Sequence, residues 1–416
     1  MPNLTDISSL QAGRILESLR KGIPSLEGTD LYSMGQEKLL TGVRNYHLAH
    51  LSERGLIRFL SGSWGSGKTH FLRQLGQEAL AADCALALVE LNAGETPFNR
   101  FDRVFFRILA QIRLPQTEYG NESRLGRFLQ TCLCKLGGDM SALSESGLKQ
   151  AEATLLHATE LDIDFSKMLL AYGTTFLSGS GDSHLKARER AEILQWFQGA
   201  GPFTVFRRQY GVSKMIDRQN ARAMLESLIH LVRLMGFQGL VILLDEAEQA
   251  CSLMRKSVLR EAHNTLLALL NQIDSLPGIF WVYATTPDFF HDPRYGIVSY
   301  GALLGRIGKP EQVVPRALDT LWNLDAIAFS LKDYQQVAWR IAQLHQRAYA
   351  NQSAPQTEEI QRFVETILEM HPALSAIRFW RVLITALVSH LDDQLEGEER
   401  EPAQTYLDIM DRLREE

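Results

Sequence analysis

Two short stretches of this chain carry residue types whose spacing suits phosphate chemistry. Gly62-Ser63-Trp64-Gly65-Ser66-Gly67-Lys68-Thr69 fits G-x-x-x-x-G-K-[ST], in which glycines let successive backbone N–H groups turn inward around phosphate oxygens. Lys68 would neutralise the β- and γ-phosphates of a nucleotide, and Thr69 would hold Mg. Leu243-Leu244-Asp245-Glu246 supplies the complementary half, with Asp245 as the acid that holds Mg through its water shell. Glu246 directly follows that acid and is the candidate to polarise or position the attacking water. Glu248 is acidic and close, but lies two residues further along the chain.

Three further candidates are weaker in pattern. Val282 to Pro287 ends in Thr285-Thr286-Pro287, where a hydroxyl, Thr285 by slight preference over Thr286, would contact the γ-phosphate or the water; Thr-Thr-Pro is equally good turn chemistry. Arg306 fits either an arginine finger reaching a neighbouring subunit's nucleotide or a surface ion pair. Arg378 and Arg381 are three residues apart on one helical face, so that either could fold over the nucleotide.

These residues need elements to position them. Hydrophobic spacing predicts a strand over 56–60, the glycine loop, a helix over 69–81 and a strand over 85–91, the opening of a parallel α/β sheet. Apolar runs over 239–244 and 279–284 predict two more parallel strands, which deliver Asp245 and Thr285 to the C-terminal edge where ligands bind in open α/β folds. Residues 97–234 are mainly helical in period, interrupted by the glycine- and serine-rich stretch 178–183, and read as a long helical insertion. The expected organisation is an N-terminal helix and connector over 1–33, a core over 34–310 containing that insertion, and a helical lid over 311–416 with helices near 333–350, 358–370 and 376–392.

Composition narrows the class. With 45% hydrophobic and 22% charged residues, the 416-residue chain has enough apolar material for a large core and no signature of disorder. A net charge of -6 excludes a global positive field drawing the surface onto nucleic acid. Four cysteines, Cys84, Cys132, Cys134 and Cys251, are too few for a disulfide framework and lack ligand spacing, so they read as reduced packing residues. The N-terminus lacks a basic region followed by an apolar core, and no apolar run approaches the ~20 residues that span a bilayer. A cytoplasmic protein without a membrane segment is expected.

Taken together, the strand-loop-helix phosphate site, the glutamate after the metal acid, the polar tip on the next strand and the helical lid resemble the AAA+ branch of P-loop ATPases, particularly the origin-recognition and Cdc6-like group. Gly35-Gln36-Glu37 resembles that group's G-R-E box near the adenine, with Gln36 in place of arginine. RKGIP, GSWGSGKTHFLRQL, WFQG, GFQGLVILLDEAE, TTPDFF and ALLGRIG are similar, over nearly the whole chain, to the BrxD-like ATP-binding proteins of BREX phage-defence systems. That resemblance implies a bacterial cytosolic ATPase encoded with defence partners, a helicase among them, and multimerisation through the ATP site.

ATP with Mg, held between core and lid, would then drive a switch or motor. Two other readings stand beside it. A DNA-binding loader would contact phosphates through Arg207, Arg208, Lys214, Arg218 and Arg222 of the insertion, or a partner would make that contact. A scaffold would bind ATP without hydrolysing it, a role that Glu246 argues against.

Overall fold

Runs of Leu, Ile, Val and aromatic residues become strands where both faces can be covered. The computed structural model describes residues 7–25, 27–117, 123–139, 143–177, 183–247, 254–349, 356–372 and 379–415. In it β1 (Leu56–Ser61), β2 (Ala85–Glu90), β3 (Leu240–Asp245), β4 (Ile279–Thr285) and β5 (Leu321–Asn323) form one five-stranded parallel sheet in the order β2-β3-β4-β1-β5. Every residue of β3 and β4 is buried, as central parallel strands covered on both faces require. β3 pairs with β2 from Leu240 opposite Ala85 to Asp245 opposite Glu90, and with β4 from Leu240 opposite Ile279 to Leu244 opposite Tyr283. Each of these two central strands runs one residue further than its apolar run, taking in Asp245 and Thr285 themselves. Leu86 and Arg113 exchange backbone hydrogen bonds of 2.7 and 2.9 Å, which satisfies part of the open edge of β2.

The chain divides into two compact units, residues 1–42, 60–75 and 310–416 in one and 43–59 and 76–309 in the other. In the second, the described chain between β2 and β3 is helical: α4 (Phe101–Gln111), α5 (Arg124–Leu136), α6 (Glu145–His157), α7 (Ile163–Thr174), α8 (Ser183–Phe197), α9 (Phe203–Tyr210) and α10 (Ala221–Leu234). The glycine- and serine-rich residues 178–182 lie outside the described residues. Cys132 and Cys134 are buried on α5, and burial pushes both thiols up. Burial, with the Asp83 charge beside it, pushes Cys84 up to about 12. All three stay protonated and inert at neutral pH. Among the described residues no group of His, Cys, Asp and Glu is arranged to hold a metal; Cys251 is not among them.

In the first unit, α1 (Ser9–Arg20) shares one apolar core with the helices Leu331–Tyr349, Thr357–Met370, Phe379–Glu396 and Pro402–Glu415, through Leu16, Leu19, Ile341, Val364, Leu387 and Ile409. A capping box closes α1: Ser8 accepts from the Gln11 N–H while the Gln11 side chain accepts from that of Ser8. A polar network lies at the margin of this core. Arg20 donates to both oxygens of Asp392, at 2.5 and 2.8 Å, and to the Tyr349 hydroxyl at 2.6 Å, while His345 Nε2 lies 3.0 Å from Asp392.

Burial works to raise the Asp392 carboxyl, but hydrogen bonds from Arg20 and His345 outweigh it and hold the group below its ordinary value of 3.8. A carboxyl depressed in the folded state contributes stability that is present above its unfolded pKa and lost as pH falls through the folded one. Asp392→Asn is therefore expected to destabilise this helical unit by about 2 kcal/mol at pH 7. In urea titrations the gap to wild type narrows below pH 3.8; a gap constant from pH 7 to 3 would mean the charge contributes nothing.

Candidate functional site

The phosphate loop leaves the C-terminal end of β1 and opens α3 (Lys68–Ala81). Gly65 and Gly67 have φ of +75° and +92°, a region that a side chain resists. A Cβ on Gly62 would lie 2.2 Å from the Ser66 hydroxyl. The loop is therefore closed tightly on itself, with Ser66 N–H donating to Ser63 O at 3.1 Å and Phe71 N–H to Gly67 O at 2.8 Å. Lys68 is buried, and its Nζ donates to Gly62 O at 2.8 Å and Ser63 O at 3.3 Å. Trp64 is exposed, with its ring 5.6 Å from that ammonium. The Ser66 hydroxyl is buried without a hydrogen-bond partner. A turn of this form at a helix N-terminus concentrates N–H donors and partial positive charge where an anion can sit.

Neighbouring groups of the same unit shape this loop. His70, on the first turn of α3, lies 2.5 Å from the Ser33 hydroxyl, and burial together with the Arg73 charge pushes it down to about 4. It is neutral at pH 7 and adds no charge for an anion. Gln36 is buried with its side-chain oxygen unpartnered, and a Cβ on Gly67 would stand 3.6 Å from its Nε2. Here the Gly35-Gln36-Glu37 box borders the phosphate loop. Asp325 is a neighbour that pattern reading passed over: its carboxylate accepts from the Ser63 N–H at 2.9 Å and from the Ser63 hydroxyl at 2.6 Å. No strand was expected over 321–323, so the signal that singled out Asp245, a carboxylate closing a long apolar run, was absent here, and the contact with Ser63 spans 262 residues.

The other unit carries the acids and the threonines. Asp245 closes β3, is 2% exposed, and accepts from the Glu246 N–H at 3.0 Å. Glu246 has a φ of +55°, a left-handed conformation that costs a residue with a Cβ about 1–3 kcal/mol. On the neighbouring strand Thr285 closes β4, fully buried, and its hydroxyl has no hydrogen-bond partner. A buried hydroxyl left unsatisfied costs about 1–3 kcal/mol, which suits a donor awaiting a ligand or water. Thr286 is buried too. The register brings Asp245 and Thr285 to the same edge of adjacent strands.

Arg306 is exposed on the helix Gly301–Ile307, donates to Ala302 O at 3.3 Å, and has no carboxylate partner among the described residues. Of its two sequence readings, the surface ion pair is thus unmet there. Arg381 lies on the helix Phe379–Glu396, with its Nε 3.1 Å from where a Cβ on Gly22 would be. Arg378 and Glu248 lie outside the described residues. Of the five basic residues considered for DNA, Lys214 is paired with Asp162 at 2.6 Å and Arg218 with Glu261 at 2.8 Å. Arg222 is half-buried against the Phe101 ring. Arg207 and Arg208 are exposed. No helix among the described residues is long and apolar enough to cross a membrane.

Comparison with known families adds one match. The family model described as BREX system ATP-binding protein BrxC/D matches residues 7–409. Among proteins of curated function, none matches the chain.

Proposed function

The chain belongs to the BREX system ATP-binding protein BrxC/D family, and from that membership we propose a Mg-dependent AAA+ ATPase whose ATP binding and hydrolysis drive a conformational or assembly switch in antiviral defence. Membership of a BREX system implies other defence-system proteins as partners. The observation that carries the proposal is the phosphate loop itself: two glycines at positive φ, a helix opening at Lys68, and a buried ammonium folded over the loop.

In this mechanism the loop N–H groups and Lys68 bind the β- and γ-phosphates. Thr69 and Asp245 would hold Mg, and the donor set fits: a hydroxyl and a buried carboxylate are hard oxygen donors. Mg held there would neutralise charge on the phosphate oxygens. Glu246 orients the attacking water and accepts its proton. The unsatisfied Thr285 hydroxyl donates to the γ-phosphate or to that water. Arg306, exposed and without a carboxylate partner among the described residues, reaches a neighbouring subunit of a homo-oligomer, and Arg378 would contact the nucleotide from a C-terminal helical lid. The protein works in the cytoplasm, with a helicase among its partners. A DNA-loading role has weaker support, because three of its five candidate phosphate contacts are engaged within the chain.

Steady-state ATP hydrolysis with Mg, with and without duplex or single-stranded DNA, tests the proposal. Turnover independent of DNA is the expected result. DNA-stimulated turnover would favour the loader, and ATP binding without turnover, even with defence partners added, would favour a nucleotide-bound scaffold.

A further inference from the structure

The corner that follows β5 is tied to the phosphate loop at two points. Asp325 lies in the turn Leu324–Ala326 and accepts from both the N–H and the hydroxyl of Ser63, the second residue of the loop. Asn323, itself buried, holds that turn: its side-chain oxygen accepts from the Asp325 N–H at 3.1 Å, and its amide donates to Glu311 O at 2.7 Å. On β5, Trp322 packs edge-on against Phe71 of α3 with ring centroids 5.8 Å apart, and its indole N–H donates to Arg316 O at 3.0 Å. One short segment thus grips the loop near its start and the helix into which the loop runs. That segment then leads into the helix Leu331–Tyr349.

From this geometry we propose that Asp325 is a positioning residue for nucleotide binding, fixing the entry turn of the phosphate loop to the segment that leads into the C-terminal helices. The inference rests on the ATP-binding reading of the loop. A carboxylate beside an anion site acts in two opposed ways, since its charge repels phosphate while its hydrogen bonds order the donors. Position decides which effect wins. Ser63 precedes the positive-φ glycines Gly65 and Gly67, and the N–H groups that face phosphate in such a loop come from the turn they make and from the first turn of the helix. Asp325 therefore uses a donor that the ligand does not need. It is also part-exposed, so water screens its charge, and ordering dominates.

The test compares ATP affinity, KM and kcat in wild type, Asp325→Asn, Asp325→Ala, Ser63→Ala and the Ser63→Ala/Asp325→Ala double variant, with ATP and Mg as the probe. Asp325→Ala is expected to weaken ATP binding about tenfold or more, the scale of lost charge-assisted hydrogen bonds, with the loss in KM and kcat within about threefold. Asp325→Asn keeps an acceptor for both Ser63 donors and restores most of the affinity. The double variant is no worse than Asp325→Ala, because both changes remove one shared contact. If Asp325→Ala does not fold, Ser63→Ala carries the test from the other side, with an expected loss of about threefold. Tighter ATP binding by both Asp325 variants would make the carboxylate a competitor of phosphate and overturn the proposal. Wild-type binding with unchanged affinity in Asp325→Ala would overturn it alone. No binding by wild type would overturn the ATP reading, and this inference with it.

Discussion

Lys68→Ala is expected to raise the dissociation constant for ATP by about a hundredfold or more, equivalent to about 2.7 kcal/mol. Two losses combine. In the proposed site the ammonium is the charge the loop offers to the β- and γ-phosphates, and charge-assisted hydrogen bonds are worth about 1.5–3 kcal/mol each. The same ammonium donates to Gly62 O and Ser63 O within the loop, so its removal also loosens the turn that aims the N–H groups. The exposed Trp64 ring, 5.6 Å from Nζ, provides a local probe. Transfer of Nζ from the loop carbonyls to a phosphate changes the surroundings of that indole, so ATP should alter tryptophan fluorescence in wild type and not in Lys68→Ala. Trp64→Phe separates this signal from that of the other five tryptophans. An affinity within threefold of wild type for Lys68→Ala would mean that ATP binds elsewhere or that the loop is not a nucleotide site.

Four of the five strands were legible because they are short apolar runs that end at polar residues and are bounded by turn signals, whereas β5, only Leu321–Asn323, is too short to carry such a pattern. Strand ends were legible to within one residue, and here that residue mattered, since Asp245 and Thr285 belong to their strands. What escaped is long-range or conformational. The periodicity of α1 marks a buried face without naming its partners, which are helices more than 300 residues away along the chain. Asp325 reaches Ser63 across 262 residues, and nothing local to Asn323-Leu324-Asp325 announces that contact. A positive φ is signalled in sequence by Gly, Asn or Asp, so the left-handed Glu246 could not be foreseen from its residue type. Arg207 and Arg218 look alike as letters, yet among the described residues only Arg218 of the two has a carboxylate partner, in Glu261.

Glu246→Gln is expected to lower kcat for ATP hydrolysis about a hundredfold or more, within the range that a positioned base contributes, while ATP affinity stays within about threefold. The conformation at this residue decides the choice of variant. Glu246 sits at a φ of +55°, so Glu246→Gly would relieve backbone strain as well as remove the carboxylate. Gln has nearly the same volume and the same difficulty at positive φ, and only the charge and the proton acceptor change. Its backbone N–H keeps the bond to Asp245, so the proposed metal-binding acid is undisturbed. A variant that binds ATP but does not cleave it should accumulate in the ATP-bound state, and under the switch model an ATP-dependent oligomer, measured by light scattering, should persist where wild type returns to its nucleotide-free form. Unchanged kcat in Glu246→Gln would remove this residue from the chemistry and turn attention to Glu248, three positions past Asp245. Loss of ATP binding together with kcat would mean that the carboxylate supports the fold of the strand end rather than the attacking water.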